Sequence, residues 1–191
     1  MISSIESKAL SDDRILFRIA GHLVEVVIPG GRDWRRLLPS FGSFKYWGRQ
    51  EDEKPMFTLK TVKQLNYINL SSSRLLFESS EMIGSCFRLF ETQHNYIVDI
   101  QFVKSGAWHR MLCDKSFRQV EACINWNDAN VGRVLNAFIM FAFAQSAVLQ
   151  RTLLIHASAV EKDGKGYAFL GRSGTGKSTH SLLWIKNIYN K

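Results

Sequence analysis

The chain has 191 residues and is short of cysteine, of proline and of long apolar runs. Its three cysteines, Cys86, Cys113 and Cys123, are odd in number, lie far apart and form no CxxC pair, so neither a disulfide framework nor a cysteine zinc site is expected. Reduced thiols in a cytoplasm are the simplest reading. The longest apolar stretch, Ala137–Leu149, is interrupted by Gln145 and Ser146 and is about a third short of a membrane span. Met1–Arg14 carries Glu6, Asp12 and Asp13 and no apolar segment of a secretory signal. These shortages predict a cytoplasmic protein without a membrane partner. No internal repeat or low-complexity tract stands out. Acid is also missing locally: Ser178–Lys191 holds neither Asp nor Glu.

What is present is ordinary globular composition, 46% hydrophobic and 22% charged, which excludes disorder, collagen and coiled coil for the chain as a whole. The net charge is +8 and is unevenly placed. Residues 1–150 hold 18 basic and 15 acidic side chains, whereas residues 151–191 hold 7 and 2. An electropositive C-terminal fifth fits nucleic acid, a nucleotide phosphate, or a domain that lacks its acidic half.

Patterning predicts an α+β chain. Ile15–Ile28 reads as two short strands about Ala20-Gly21-His22, ended by Pro29-Gly30-Gly31. Asp33 is placed to cap a short helix, Trp34–Leu38, that Pro39 stops. Gly42–Lys54 is charged and loop-like. Strand-length runs follow at Met56–Val62, Leu65–Leu70, Arg74–Glu78, Ser85–Glu91, Tyr96–Val103, Ala107–Cys113 and Phe117–Ile124. Their spacing predicts an antiparallel meander or sandwich. The period then changes. A helix from about Ala129 to Gln150, capped by Asn127 or Asp128, is nearly all apolar between Ala137 and Ala144, which predicts burial on several sides. A strand over Leu153–Val160, an Asp163-Gly164 turn and a strand over Gly166–Leu170 form a hairpin that runs into Gly171. A helix over Lys177–Ile188 follows. The predicted organisation is a β-rich region over 1–126, a connecting buried helix over 127–152 and a further domain over 153–191.

Residues 171–178, Gly-Arg-Ser-Gly-Thr-Gly-Lys-Ser, match the GxxxxGK[ST] phosphate loop. Gly171 and Gly176 permit dihedrals and close approach that a Cβ blocks. Successive amides form an anion nest, and the following helix adds its positive end. Lys177 brings a point charge to the β- and γ-phosphates, and Ser178 Oγ is a ligand for Mg²⁺. The expected nucleotide-binding set is therefore Gly171, Arg172, Ser173, Gly174, Thr175, Gly176, Lys177, Ser178 and Thr179, with Lys177 also catalytic and Ser178 on the metal.

Ile155-His156-Ala157-Ser158-Ala159-Val160, the Asp163-Gly164 turn, Tyr167–Leu170 and Gly171–Thr179 together resemble the start of the HPr kinase/phosphorylase catalytic domain. That domain belongs to the phosphoenolpyruvate carboxykinase-like class of P-loop proteins, in which a β-hairpin precedes the loop. The resemblance is specific over about residues 153–184 only. It implies ATP and Mg²⁺ as cofactors, a protein or peptide as phosphate acceptor, and His156, fifteen residues before Gly171, as a catalytic group near the γ-phosphate. It also exposes a departure. The family supplies a pair of adjacent acids on a later strand, and nothing after Lys177 here is acidic. The chain thus reads as a piece that stops just after the phosphate loop, with nucleotide and metal binding weak or absent. The alternative is a non-catalytic protein- or peptide-binding module with a remnant loop.

The remaining candidates read as structural. His22, His94 and His109 are scattered without metal spacing, and His180 lies on a wet helix turn. Asp12-Asp13 and Glu51-Asp52-Glu53 fit solvated loops. Trp47, Trp108, Trp126 and Trp184 fit packing. Arg32, Arg35 and Arg36 with Trp34 make a brief basic–aromatic group of the type that nucleic-acid surfaces use, but its brevity leaves nucleic acid outside the expected partners.

Overall fold

A computed structural model describes residues 11–48, 53–65, 70–79, 86–103 and 106–188. The chain is α+β and divides into two compact units, Met1–Thr152 and Leu153–Lys191.

The first unit is one eight-stranded sheet with a helix on one face. The strands are β1 (Asp13–Ile19), β2 (His22–Ile28), β3 (Phe57–Val62), β4 (Arg74–Glu78), β5 (Cys86–Glu91), β6 (Asn95–Gln101), β7 (His109–Asp114) and β8 (Gln119–Cys123). A one-turn helix α1 (Trp34–Leu37) and a 3-10 segment (Pro39–Phe44) lie between β2 and β3, and α2 (Val131–Val148) follows β8. The order across the sheet is β1-β2-β3-β8-β7-β6-β5-β4. The sheet is mixed, which corrects the expectation of an all-antiparallel region. β3 runs parallel to both neighbours, β2 and β8, while every other pair is antiparallel. Strand length and spacing are local properties; strand direction is decided by where the chain crosses. β3 lies beside β2 and parallel to it, so the chain returns to the end where β2 began before β3 starts.

The local forces are legible. Ala20 and Gly21 both take positive φ, 48° and 84°, which makes the tight turn that joins β1 to β2. Asp33 caps α1 by accepting from the Arg35 amide at 3.0 Å. Period-2 residues of the strands, among them Phe17, Val26, Phe57, Leu59, Met111 and Val120, face α2, which buries Val134, Leu135, Phe138 and Ala142 against them. α2 also buries Val131, Ile139, Phe143, Ser146 and Ala147, in line with the expected burial on several sides, while Met140, 46% exposed, marks its wet side. By length and composition α2 is apolar enough to cross a membrane, yet half of it is buried in the fold, as a core helix is.

The opposite face of the sheet is polar. A trough of about 710 Å³ there is lined by Arg14, Glu25, Thr58, Lys60 and Glu121 among others. Glu25 is buried, and its carboxylate accepts from Arg14 Nε at 2.7 Å and Thr58 Oγ1 at 3.0 Å. Asp99 on β6 is likewise buried and takes both forks of its cross-strand partner Arg110 at 2.6 Å.

Several boundaries move for physical reasons. The strand expected from Phe117 starts at Gln119, because Phe117 sits at φ 54° in a turn whose Asp114 carboxylate accepts from the Ser116 and Gln119 amides. The helix expected from Ala129 starts at Val131; Asp128 Oδ1 accepts from the Asn130 amide at 2.7 Å just before it. The expected strand Leu65–Leu70 lies largely outside the described residues.

The second unit holds β9 (Ser158–Lys162) and β10 (Lys165–Phe169), an antiparallel pair, and α3 (Lys177–Ile188). Asp163 and Gly164 turn the hairpin at φ 54° and 72°. β9 starts at Ser158, five residues later than the expected Leu153, and Thr152–Ala157 has no regular structure. The apolar run Leu153-Leu154-Ile155 suits a strand, but pairing decides whether one forms, and among the described residues β9 has only β10 beside it.

Candidate functional site: the loop between β10 and α3

Three glycines shape residues 171–176. Gly171, Gly174 and Gly176 lie at φ 155°, 81° and 79°. A Cβ on Gly171 would stand 2.8 Å from Thr175 Oγ1, so this glycine answers a close approach; at Gly174 and Gly176 the requirement is the dihedral alone. Thr175 Oγ1 donates to the Arg172 carbonyl at 2.8 Å and ties the loop across its base. The His180 amide donates to the Gly176 carbonyl at 2.9 Å, which starts the α3 ladder one turn into the helix. Amides at the helix start therefore have no helical carbonyl to bond and carry the positive helix end.

The Lys177 ammonium is turned back onto its own loop. Nζ donates to the carbonyls of Gly171 and Arg172, each at 2.9 Å. An anion in the loop competes with these two acceptors for the lysine. Ser178 and Thr179 are exposed on the first turn of α3, and Arg172 and Ser173 are exposed on the loop.

An aromatic cluster fixes the loop's two anchors. Trp184 of α3 lies against Tyr167 and Phe169 of β10, with centroids 5.1 and 5.4 Å apart, and the His180 ring meets Phe169 edge-on at 4.9 Å. These contacts hold the start of α3 on the strand that feeds the loop. They give His180 a packing role beyond that of a wet helix residue. The signal for it is in the sequence, since Tyr167 and Phe169 share one face of a strand.

His156 is exposed and stands outside the strand, two residues before β9, which corrects its expected place within it. The paired register ends at Ser158–Phe169, and His156 and Gly171 each lie two residues beyond it. The hairpin thus brings His156 to the end from which the loop departs. The unit's two acids are at the other end. Glu161 accepts from the Gly164 amide at 2.7 Å in the β9–β10 turn, and Asp163 is in that turn. The length of β10, on the order of 15 Å, separates them from the loop. Among the described residues, no group of three or more His, Cys, Asp or Glu side chains is placed to hold a metal. The donor set at the loop fits a phosphate. It does not fit a complete Mg²⁺ site, because Ser178 Oγ is one neutral ligand where the ion takes six and favours carboxylate.

The other histidines have structural partners. His22 is bonded to Thr152 Oγ1 at 2.9 Å. His109 is fully buried; its Nδ1 accepts from the Asn125 amide at 3.2 Å, and its Nε2 is 3.1 Å from Asp128 Oδ2.

Compared with protein-family models, with curated proteins and with solved structures, the chain matches none.

Proposed function

We propose that the second unit is the nucleotide-phosphate-binding opening of an HPr-kinase-like phosphotransferase, and that this chain on its own is catalytically incomplete. The observation that carries the reading is the Gly171–Ser178 motif in its working context: a strand ends at Phe169, glycines turn the backbone at positive φ, and a helix begins at Lys177. In this reading Gly171–Gly176 cradle the phosphates of ATP and Lys177 neutralises the terminal one. Ser178 supplies a single oxygen to Mg²⁺, and His156 approaches the transferred group. A protein or peptide is the acceptor, and the compartment is the cytoplasm, where the three free thiols remain reduced.

Phosphoryl transfer needs the metal fixed against the β- and γ-oxygens, and the unit's acids stand at the wrong end of the hairpin. Purified chain is expected to hold ADP and pyrophosphate with similar weak affinity, a Kd in the high-micromolar to millimolar range, roughly 4–6 kcal/mol. Both are lost in Lys177→Ala by calorimetry, and ATP hydrolysis stays at background. ADP binding that survives Lys177→Ala removes the loop from the reading; Mg²⁺-dependent hydrolysis that needs Lys177 removes the incompleteness. The second reading, a peptide-binding module with a remnant loop, is favoured by the Lys177 ammonium being already bonded to two loop carbonyls. It predicts no binding of either anion.

A further inference from the structure

The basic–aromatic group of α1 is larger in space than in sequence. α1 ends against the start of α2, where Gly132 allows the approach: a Cβ there would stand 2.5 Å from the Leu37 carbonyl oxygen. This brings Arg133 to the same side as Arg32 and Arg36, and together with Trp126 they line an open cleft of about 530 Å³. On the other flank of α1, Arg35 lies 4.9 Å over the Trp34 ring. Lys45 lies 5.9 Å from that ring and 5.0 Å from the ring of Trp47, which is 76% exposed.

Five cations therefore surround one helical turn. Three of the arginines are stacked on rings: Arg32 over Trp126 at 4.2 Å, Arg133 over Phe102 at 4.3 Å, and Arg35 over Trp34. A stacked guanidinium still presents N–H donors at its edge, although Arg133 gives one of its own to Asn130 Oδ1 at 3.2 Å. Two carboxylates lie in this region, and both already have partners. Asp33 caps α1 and touches Arg36 at 3.5 Å, and Asp128 is held by His109 and Asn130. Among the described residues, Arg32, Arg35 and Lys45 form no ion pair. Burial, and after it the charge of Arg35, holds the Lys45 ammonium below its usual pKa. Five cations against the two carboxylates Asp33 and Asp128 leave a net positive surface, which a bound polyanion stabilises.

We propose that this surface, built from Arg32, Arg35, Arg36, Lys45, Arg133 and the indole of Trp47, binds single-stranded nucleic acid. The guanidinium edges take backbone phosphates and Trp47 takes a base. Stacking decides the class of partner. A single strand carries a planar base beside every phosphate, whereas an acidic or phosphoserine peptide presents a ring only where an aromatic residue happens to fall, and a duplex keeps its bases stacked on one another. The surface lies wholly in the first unit and owes nothing to the phosphate loop.

The test is fluorescence anisotropy of the full chain with a labelled 5′-hydroxyl oligothymidylate of about fifteen residues. A duplex of the same length and a multiply phosphorylated peptide are the competitors. The single strand is expected to bind, quench tryptophan emission, and weaken with salt at a log–log slope of about −0.7 per phosphate contacted. Arg32→Glu with Arg36→Glu lowers affinity at least about tenfold, and Trp47→Ala lowers it roughly 5- to 100-fold, as loss of one stacked base does. Lys60→Glu with Lys63→Glu, an equal charge change elsewhere, leaves it within about twofold, far less than a lost base contact. Absence of binding, an unaffected Trp47→Ala, equal loss in the Lys60/Lys63 variant, or preference for the phosphopeptide each overturns the proposal.

Discussion

Glu91 on β5 sits between two cations: Lys115 Nζ donates to one carboxylate oxygen at 2.9 Å and Arg74 Nη2 to the other at 2.6 Å. Lys115 first and Arg74 second pull its pKa from 4.5 down to about 2. A depressed carboxylate adds stability above its unfolded pKa and loses it as pH falls through the folded value. Glu91→Gln is therefore expected to lower the urea midpoint at pH 7, with the gap to the parent closing between about pH 4.5 and pH 2. A gap that persists unchanged at pH 2 contradicts the pairing. Cys113 shows the opposite perturbation: burial, then Asp114, pushes its thiol up to about 12. Thiolate is the reactive form, so a disulfide reagent should find at most two of the three thiols in the native chain and all three in denaturant. Fast native reaction of Cys113, followed by peptide mapping, would show that β7 opens.

Between elements, the sharpest constraint is the α1–α2 contact. Alanine for glycine within a helix normally stabilises by about 0.5–1 kcal/mol. At Gly132 the added methyl meets the Leu37 backbone oxygen at 2.5 Å, and backbone does not yield cheaply. Overlap wins, and Gly132→Ala is expected to destabilise by about 1–3 kcal/mol in urea titration. A stabilised Gly132→Ala would mean that α1 does not pack there. Most elements of this chain can be read from its sequence because their causes are local: the Ala20-Gly21 and Asp163-Gly164 turns, the Asp33 cap, and the stripe Val134–Leu135–Phe138–Ala142 on α2. The Leu153–Ile155 run misleads for the same reason. Its side chains suit a strand, but among the described residues no neighbouring strand pairs with it.

For the chain as a whole, the two units differ in how much they bury. The core cluster draws on residues up to Ala147 and on none from Leu153 onward. In the second unit Val160 and Ser181 are the buried residues among those described, and Leu153, Ile155, Leu170 and Leu182 are 56–72% exposed. A fragment that ends at Thr152 is thus expected to unfold cooperatively with a Tm close to that of the full chain by calorimetry. Loss of cooperative unfolding in that fragment would show that Leu153–Lys191 supports the first core.

Sequence alone determined the α+β class, most strand and helix positions, and the glycine-shaped turn over residues 171–176, because each rests on residues within a few positions of one another. Tertiary structure decided the rest. The parallel placement of β3 depends on the return of the chain between β2 and β3 and on a partner, β8, more than fifty residues away. That His156 and the loop lie at the same end of the hairpin depends on the β9–β10 pairing. The cationic surface about α1 joins residues near position 32 to Trp126 and Arg133 only because Gly132 lets two backbones meet. Charge and stacking act through space, and the spacing of these residues along the chain carries no trace of the distances between them.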